Sequence, residues 1–495
     1  MTDLDLTNND KFGSKILVIL GTSSHAGKSI IVTALCRIFS NDGLKVSPFK
    51  AQNMSLNSYV TIDDREISMA QAIQATAARS EPIVEMNPIL LKPSKENTSQ
   101  IVVMGRPFKD TDIKNYYSNI DYFAKIAEDA LIRLSKDNDL VVVEGAGSPA
   151  EINLYDTDIP NIFISRATKA PIILVSDIER GGVFASIYGT VKLLPEDLQE
   201  QVKGIIINKF RGDEKILEPG IKKIEELLGI PVLGVIPYLN VKIPSEDSVS
   251  IENKISGYGI EIAIIRLPRI SNFTDFEPLE DGANIKYVDL TEKLGNPDAI
   301  IIPGTKNTVE DLIELKKSGL YDEIIAKRGK IPIIGICGGY QILGRSIIDK
   351  GVENSEETVE ISGLGLLDVC TIFDTYDKTT RRVKKVIHGK GPILDKIKGE
   401  EVEGYEIHMG RTISKNPVFS DDGAIDKDGL TIGTYLHGLF HNESFKDAFL
   451  DYLYDKKGIK REKSKKYDQF DALASSVLKS INIDMIKRLI SLDIT

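Results

Sequence analysis

The chain has 495 residues, 42% of them hydrophobic and 27% charged, with a formal net charge of −11. Those values fit an ordinary globular protein of about three domains, or of two large α/β domains, with ample material for apolar cores. They exclude the compositional signatures of disordered, collagenous and disulfide-scaffold chains. The acidic balance argues against nucleic acid as the main partner. No apolar run approaches the roughly 18–20 residues needed to span a bilayer, so no membrane partner is expected.

Met1–Ser14 is polar and acidic with no apolar h-region, and reads as no signal peptide. The three cysteines, Cys36, Cys337 and Cys370, form no CxxC pair. An odd number in a long chain argues against a disulfide framework or a zinc site and for a reducing, cytoplasmic setting. Nothing in the pattern sets an oligomeric state.

Short apolar, β-branched runs alternate with amphipathic stretches along the chain, which is the pattern of parallel α/β sheets. The first predicted strand, Lys15–Leu20, runs into Gly21-Thr22-Ser23-Ser24-His25-Ala26-Gly27-Lys28-Ser29 and an apolar helix over Ser29–Phe39. This is a phosphate-binding loop one residue longer than the common GxxxxGK[ST] form. Backbone N–H groups at the helix start face phosphate oxygens, and the helix dipole adds positive potential. Lys28 is placed to neutralise β/γ-phosphate charge and the Ser29 hydroxyl to reach Mg²⁺, so ATP and Mg²⁺ are the expected cofactors.

Further buried strands are predicted at Leu140–Glu144, Pro171–Asp177 and Gly204–Asn208. Glu144, at a strand end before flexible glycines, is the expected carboxylate for the metal, with Asp63 and Asp64 as weaker candidates. Asn208, beside Lys209 at another strand end, is read as a nucleotide-base contact. A polar stretch with Pro and Gly then marks a boundary, giving a first domain over 1–236 and a linker over 237–258. A second strand series occupies 259–446: Ile260–Leu267, Ala299–Pro303, Ile331–Ile336 and Leu430–Leu436. The rest, 447–495, reads as a charged helical tail, with the basic run from Lys456 to Lys466 as a solvated face.

Gly335-Ile336-Cys337-Gly338-Gly339 is the thiol counterpart of the GxSxG nucleophile elbow. A thiol at a helix N-terminus ionises more readily than a free one. Gly338 is the expected first oxyanion-hole donor, and Pro303-Gly304-Thr305 the second donor loop. Of five histidines, His437 comes directly after a predicted strand and is the expected base, with His408 the runner-up.

Further motifs carry a family resemblance over nearly the whole chain. They include Lys50-Ala51-Gln52-Asn53-Met54 with Asn57, Asn87-Pro88 with Lys92-Pro93, and Glu144-Gly145-Ala146-Gly147 with Glu151 and Asn153. Asp177-Ile178-Glu179-Arg180-Gly181-Gly182, Ile207-Asn208-Lys209-Phe210-Arg211-Gly212-Asp213, Asn272-Phe273-Thr274-Asp275, Pro303-Gly304-Thr305-Lys306-Asn307-Thr308, Gly404-Tyr405-Glu406-Ile407-His408-Met409-Gly410 and Tyr435-Leu436-His437-Gly438 complete the set. Together they resemble the cobyric acid synthases, glutamine-dependent amidotransferases of cobalamin biosynthesis. The resemblance implies a P-loop, parallel-sheet synthetase domain similar to dethiobiotin synthetase, then a class I glutaminase domain of flavodoxin-like α/β fold. It implies Cys337 as nucleophile and His437 as base, with glutamine and adenosylcobyrinic a,c-diamide as substrates and the b, d, e and g carboxylates as the groups amidated. Gln52, Asn53, Asn57, Arg79, Asp177 and Arg180 are the expected corrinoid contacts. Typical class I glutaminases carry a Glu two residues after the catalytic His. Here that position is Leu439, which leaves a dyad and an open question about what orients the imidazole.

Two rivals stand beside this reading. One is cobyrinic acid a,c-diamide synthase or a related amidotransferase, disfavoured by Gln52-Asn53-Met54. The other is a partitioning-type switch ATPase, which needs no glutaminase half.

Overall fold

A computed structural model describes residues 11–95, 98–112, 116–239, 253–254, 257, 259–353, 358–415, 417–462 and 468–492. The chain forms two compact units: Met1–Ser55, Glu66–Ile243 and Tyr467–Thr495 make the first, and Leu56–Arg65 with Pro244–Lys466 make the second. A ten-residue piece from the N-terminal half is thus part of the second unit.

The first unit is built on a parallel sheet. Its strands are β1 (Lys15–Gly21), β2 (Val46–Phe49), β3 (Leu140–Glu144), β4 (Ile172–Asp177), β5 (Val202–Phe210) and β6 (Val232–Pro237), in the order β6-β5-β4-β1-β3-β2. Lys15 aligns with Leu140 and Ile19 with Glu144, while Val18 aligns with Ile172. Helices α1 (Lys28–Asn41), α2 (Met69–Ala77), α3 (Ile120–Lys136), α4 (Val183–Leu193) and α5 (Glu214–Leu228) accompany it. Along β1, Leu17 and Ile19 join one apolar cluster while Val18 and Leu20 join another. A strand buried on both faces is therefore apolar without alternation, and each such side chain contributes roughly 1.5–3 kcal/mol. The chain leaves β1 towards β2 and, after β3, crosses to β4 on the other side of β1. That reversal opens a crevice at the carboxyl end of β1, the usual ligand position in such sheets.

The second unit repeats the architecture, with β7 (Glu261–Arg266), β8 (Asn284–Asp289), β9 (Ala299–Ile302), β10 (Ile333–Ile336), β11 (Ala424–Ile425) and β12 (Thr431–Thr434) in the order β8-β7-β9-β10-β12-β11. Only β11, on the edge, runs antiparallel. Helices α6 (Thr308–Lys317), α7 (Gly338–Leu343) and α8 (Glu443–Lys457) belong to it. The tail does not stand apart: α8 packs in the second unit, whereas α9 (Gln469–Leu478) and α10 (Ile483–Leu489) lie in the first. There Asp468, the α9 cap, accepts from Arg37 of α1 at 2.9 and 3.2 Å.

Within the basic run, Arg461 pairs with Asp447 and Asp451 at 2.7 and 2.8 Å and Lys457 with Asp298 at 2.6 Å, so these residues brace their own unit. Residues 463–466 of that run, most of the expected linker, and residues 1–10 lie outside the described residues. No described helix is long and apolar enough to cross a membrane.

Candidate active sites

In the first unit the loop after β1 wraps onto α1 through Gly27, whose φ of +99° only glycine adopts without strain. A Cβ there would also lie 2.0 Å from the Asn208 amide nitrogen. Asn208 donates to the Ala26 carbonyl at 3.0 Å, bracing the loop from the end of β5. The amide nitrogen of Asn208 is thus engaged with the loop itself. Lys28 is buried and donates to the carbonyls of Ser23 and Gly147 at 3.0 and 2.8 Å. It leans back over Gly21, where a side chain would collide with it.

Ser29, on the first turn of α1, donates to Glu144 at 2.8 Å. Glu144 is fully buried and also receives Lys50 at 2.9 Å and the Gln74 amide. A hydroxyl beside one carboxylate is an oxygen donor set of the kind a hard cation takes when phosphates and water supply the rest. Asp63 is not part of that set. It lies in the second unit, accepting from Thr61 and pairing with Arg65 at 3.1 Å. Asp64 lies there too and accepts from the Arg382 N–H.

The carboxyl end of β4 brings Asp177 to Lys209, at 2.9 Å, and Lys209 also donates to the loop carbonyl of His25. Arg180, next to two positive-φ glycines, is exposed. Gln52 accepts from the Tyr116 hydroxyl, and Asn53 is buried on Ser68 and Gln71. A cavity of about 600 Å³ lies beside the loop, lined by Thr22, Ser23, Gln52, Gly147, Glu151 and Asp158 among others.

Two expected corrinoid contacts, Arg79 and Asn57, have their polar groups engaged within their own units. Arg79 bonds Asn41 at the far end of α1, roughly 20 Å of helix from the phosphate loop. Asn57 belongs to the second unit, 2% exposed, where its amide oxygen accepts from the Phe273 N–H.

In the second unit β10 ends at Ile336, and Cys337 turns sharply into α7 with φ 52° and ψ −110°. This is a sparsely populated conformation of the kind that concentrates at reactive sites. Its N–H donates to Thr434 of β12 at 2.8 Å and its thiol to the Ile407 carbonyl at 3.3 Å. The turn needs close backbone approach: a Cβ on Gly339 would sit 1.9 Å from the Ile302 carbonyl oxygen of β9. Gly339→Ala is therefore expected to cost roughly 3 kcal/mol or more by overpacking. Thermal melts of the full chain check this, and an unchanged melt would show that α7 does not need that approach.

His437, buried, lies just beyond β12. Its Nδ1 lies 2.7 Å from Asp275 Oδ2, while Asp275 Oδ1 accepts from the Gly438 N–H at 3.0 Å. A carboxylate can only accept here, so Nδ1 carries the hydrogen and Nε2 is left for the thiol. Burial alone disfavours a charged imidazole. The Asp275 carboxylate, its hydrogen bond and the hydrogen-bonded Cys337 outweigh that and push the pKa up to about 10. Tyr405 stacks on the ring, with centroids 5.3 Å apart. A Cβ on Gly304 would come within 3.3 Å of His437 Cε1, and one on Gly338 within 3.1 Å of the Thr305 N–H nitrogen. The structure thus brings Cys337, His437, Gly304 and Gly338 together.

His408 is a poor base by comparison. It stacks on Tyr435 at 3.7 Å, and burial lowers its pKa to about 4. Cys36 is fully buried, and burial with nearby Glu144 pushes its thiol pKa well up, unlike a reactive thiol.

Asp275 has no role assigned from sequence, although it ends the motif Asn272-Phe273-Thr274-Asp275. It precedes His437 by 162 residues, a separation that spacing cannot bridge. Lys50 and Gln74, the partners of Glu144, escape a sequence reading for the same reason.

A family model described as a CobB/CobQ-like glutamine amidotransferase domain matches residues 261–445, and one described as a CobQ/CobB/MinD/ParA nucleotide binding domain matches 17–250. The two folds and the two matches define a nucleotide-binding, glutamine-hydrolysing ligase. A probable cobyric acid synthase of Methanococcoides burtonii is 57% identical over 485 residues, covering 97% of this chain and 98% of that protein. Another, of Methanosarcina mazei, is 58% identical over 476 residues, covering 95% and 98%. The chain belongs to the cobyric acid synthase family. Among solved structures, one described as PurLQS from Thermotoga maritima aligns at TM-score 0.30 and 22% identity, over 39% of this chain and 99% of that one. The nucleotide-binding description also names MinD and ParA, but the second matched domain and the full-length relatives separate this chain from a lone switch ATPase.

Proposed function

We propose that this enzyme converts the b, d, e and g carboxylates of adenosylcobyrinic a,c-diamide to amides, using glutamine as nitrogen source and ATP as activator. The observation that carries the nitrogen-releasing half is the chain of contacts Cys337–His437–Asp275. The substrate rests on family membership.

In the glutaminase unit the Cys337 thiolate attacks the glutamine side-chain carbonyl carbon. The oxyanion accepts from the backbone N–H groups of Gly304 and Gly338. Protonated His437 gives its Nε2 proton to the departing ammonia, then takes one from the water that hydrolyses the thioester; the sulfur leaves as thiolate, glutamate is released with its acid proton lost to solvent, and the starting thiolate and imidazolium are restored.

In the nucleotide-binding unit a corrinoid carboxylate oxygen attacks the ATP γ-phosphorus and ADP leaves. Lys28 and the loop N–H groups offset the charge that develops. Ammonia then attacks the acyl phosphate carbon, and phosphate leaves. Ser29 and Glu144 would hold Mg²⁺, which when bound supplies further charge neutralisation at the phosphates. Gln52, Asn53, Asp177 and Arg180 remain the proposed corrinoid contacts, and Arg79 and Asn57 are left out.

The test is mass spectrometry of adenosylcobyrinic a,c-diamide incubated with the protein, Mg-ATP and glutamine. Successive acid-to-amide shifts ending at four are expected. Activity only on cobyrinic acid, stopping at two, would move the substrate to the a,c-diamide synthase relative. No amidation of either would overturn the corrinoid reading.

A further inference from the structure

Residues Leu56–Arg65 come from the N-terminal half of the sequence yet fold within the glutaminase unit. The segment closes on itself: the Thr61 N–H donates to the Arg65 carbonyl at 2.8 Å, and the Thr61 hydroxyl accepts from the Arg65 N–H at 3.2 Å. It is then fixed to the rest of the unit by a reciprocal pair. Asn57 accepts from the Phe273 N–H at 3.2 Å, and Asn272 accepts from the Ser58 N–H at 3.0 Å. All three polar residues are nearly excluded from solvent. Asn272 stands at φ +51°, and its carbonyl accepts from the Asp275 N–H at 3.0 Å. The asparagine pair therefore holds the turn that presents Asp275 to His437.

A second route ends at the same imidazole from its ring face. Tyr59, on the strand Ser58–Val60, packs on Tyr405 with centroids 5.7 Å apart, and Tyr405 in turn stacks on His437. Arg382 lies over Tyr59 at 5.6 Å, and its backbone N–H donates to Asp64 at 2.8 Å. The segment is thus anchored at both ends, with its aromatic residue between the anchors.

We propose that Leu56–Arg65 is a positioning element of the glutaminase site, setting Asp275 through Asn57 and the imidazole plane through Tyr59. This rests on the Cys337–His437 reading above. A base displaced by about 1 Å can lose two orders of magnitude in rate, so a modest loosening is measurable. The segment touches neither glutamine nor the thiol in this scheme. It acts only through the Asp275–His437 pair, and that pair sets how far up in pH the imidazolium persists.

The experiment compares Asn57→Ala, Tyr59→Ala and Tyr59→Phe in the full chain. Readouts are glutamate release from glutamine, its pH profile, and the reaction with ammonium chloride in place of glutamine. Both alanine variants are expected to lower kcat for glutamine at least tenfold with KM changed less, to move the alkaline limb to lower pH, and to leave the ammonia reaction within twofold. Tyr59→Phe, which keeps the ring, restores most of the rate. Alanine variants with wild-type kcat and pH profile would overturn the proposal, as would loss of the ammonia reaction in parallel. If Asn57→Ala does not fold, the Tyr59 pair decides alone. A Cys337→Ala protein that still released glutamate would instead sink the underlying site assignment.

Discussion

Cys337→Ala is expected to lower glutamine-dependent amidation by more than about 10³-fold while leaving the ammonia-dependent reaction within about twofold, because a nucleophile's removal eliminates the covalent route. In the proposed scheme the thiol takes no part in the other unit, whose charged groups for phosphate chemistry lie around the β1 loop. Lys28→Ala is expected to abolish both routes. Its ammonium is held by the carbonyls of Ser23 and Gly147, so it is already ordered where phosphate charge would develop. Lys50 cannot substitute without leaving Glu144 buried without its cation, a state that costs several kcal/mol. The check is amide formation measured with glutamine and again with ammonium chloride for each variant. Equal loss of both routes in Cys337→Ala would show that the two chemistries are not separable, and the division of labour would fall.

The parallel sheets are legible in the sequence because strands buried on both faces need continuous apolar runs. Lys15–Leu20, Leu140–Glu144 and Ala299–Pro303 are runs of this kind, and each maps onto a central strand within a residue or so. Residues at the carboxyl ends of those strands are legible for the same reason, since a parallel α/β sheet presents its functional groups at that edge. Of the candidate residues, Glu144 ends a strand, Cys337 and His437 follow the strands Ile333–Ile336 and Thr431–Thr434, and Lys28 opens the helix after the first strand. Short elements carry no such signature. The sheet formed by Gln52–Met54, Ile89–Lys95, Thr98–Val103 and Arg106–Asp112 has none, nor has the hairpin of Thr379–Val386 with Glu401–His408, although the latter delivers Tyr405 to His437. Leu56–Arg65 likewise gives no sign of belonging to the second unit. Its membership is fixed by Asn57 and Asn272, which bond each other's neighbours from opposite halves of the chain, a pairing that local pattern does not encode.

Asp275→Asn is expected to reduce glutamine hydrolysis roughly 10²–10³-fold and to leave the ammonia reaction intact. The reason lies in the count of acceptors. Asp275 uses Oδ2 for the His437 Nδ1–H and Oδ1 for the Gly438 N–H. Asparagine has one acceptor oxygen, so satisfying Gly438 turns its NH₂ towards Nδ1. The ring must then carry its hydrogen on Nε2, facing the thiol, and can no longer accept a proton there. In serine proteases the same substitution costs about 10⁴ in kcat. A thiol is intrinsically more acidic than a hydroxyl and depends less on the base, hence the smaller figure here. The pH profile separates this from simple misfolding. Burial lowers the imidazole pKa, but the Asp275 carboxylate, its hydrogen bond and Cys337 together raise it from 6.5 to about 10; without the carboxylate the pKa falls. Because the folded pKa is raised, the Asp275 contribution to stability is fully present below about pH 6.5 and is lost as pH rises through about 10. The alkaline limb of kcat/KM for glutamine should therefore move down in the variant, and the difference in unfolding free energy between wild type and variant should shrink from pH 6.5 towards 10. A variant with a wild-type alkaline limb would mean that Asp275 neither orients nor charges His437, and the group that does so would have to be sought among the other residues facing the ring, Tyr405 first.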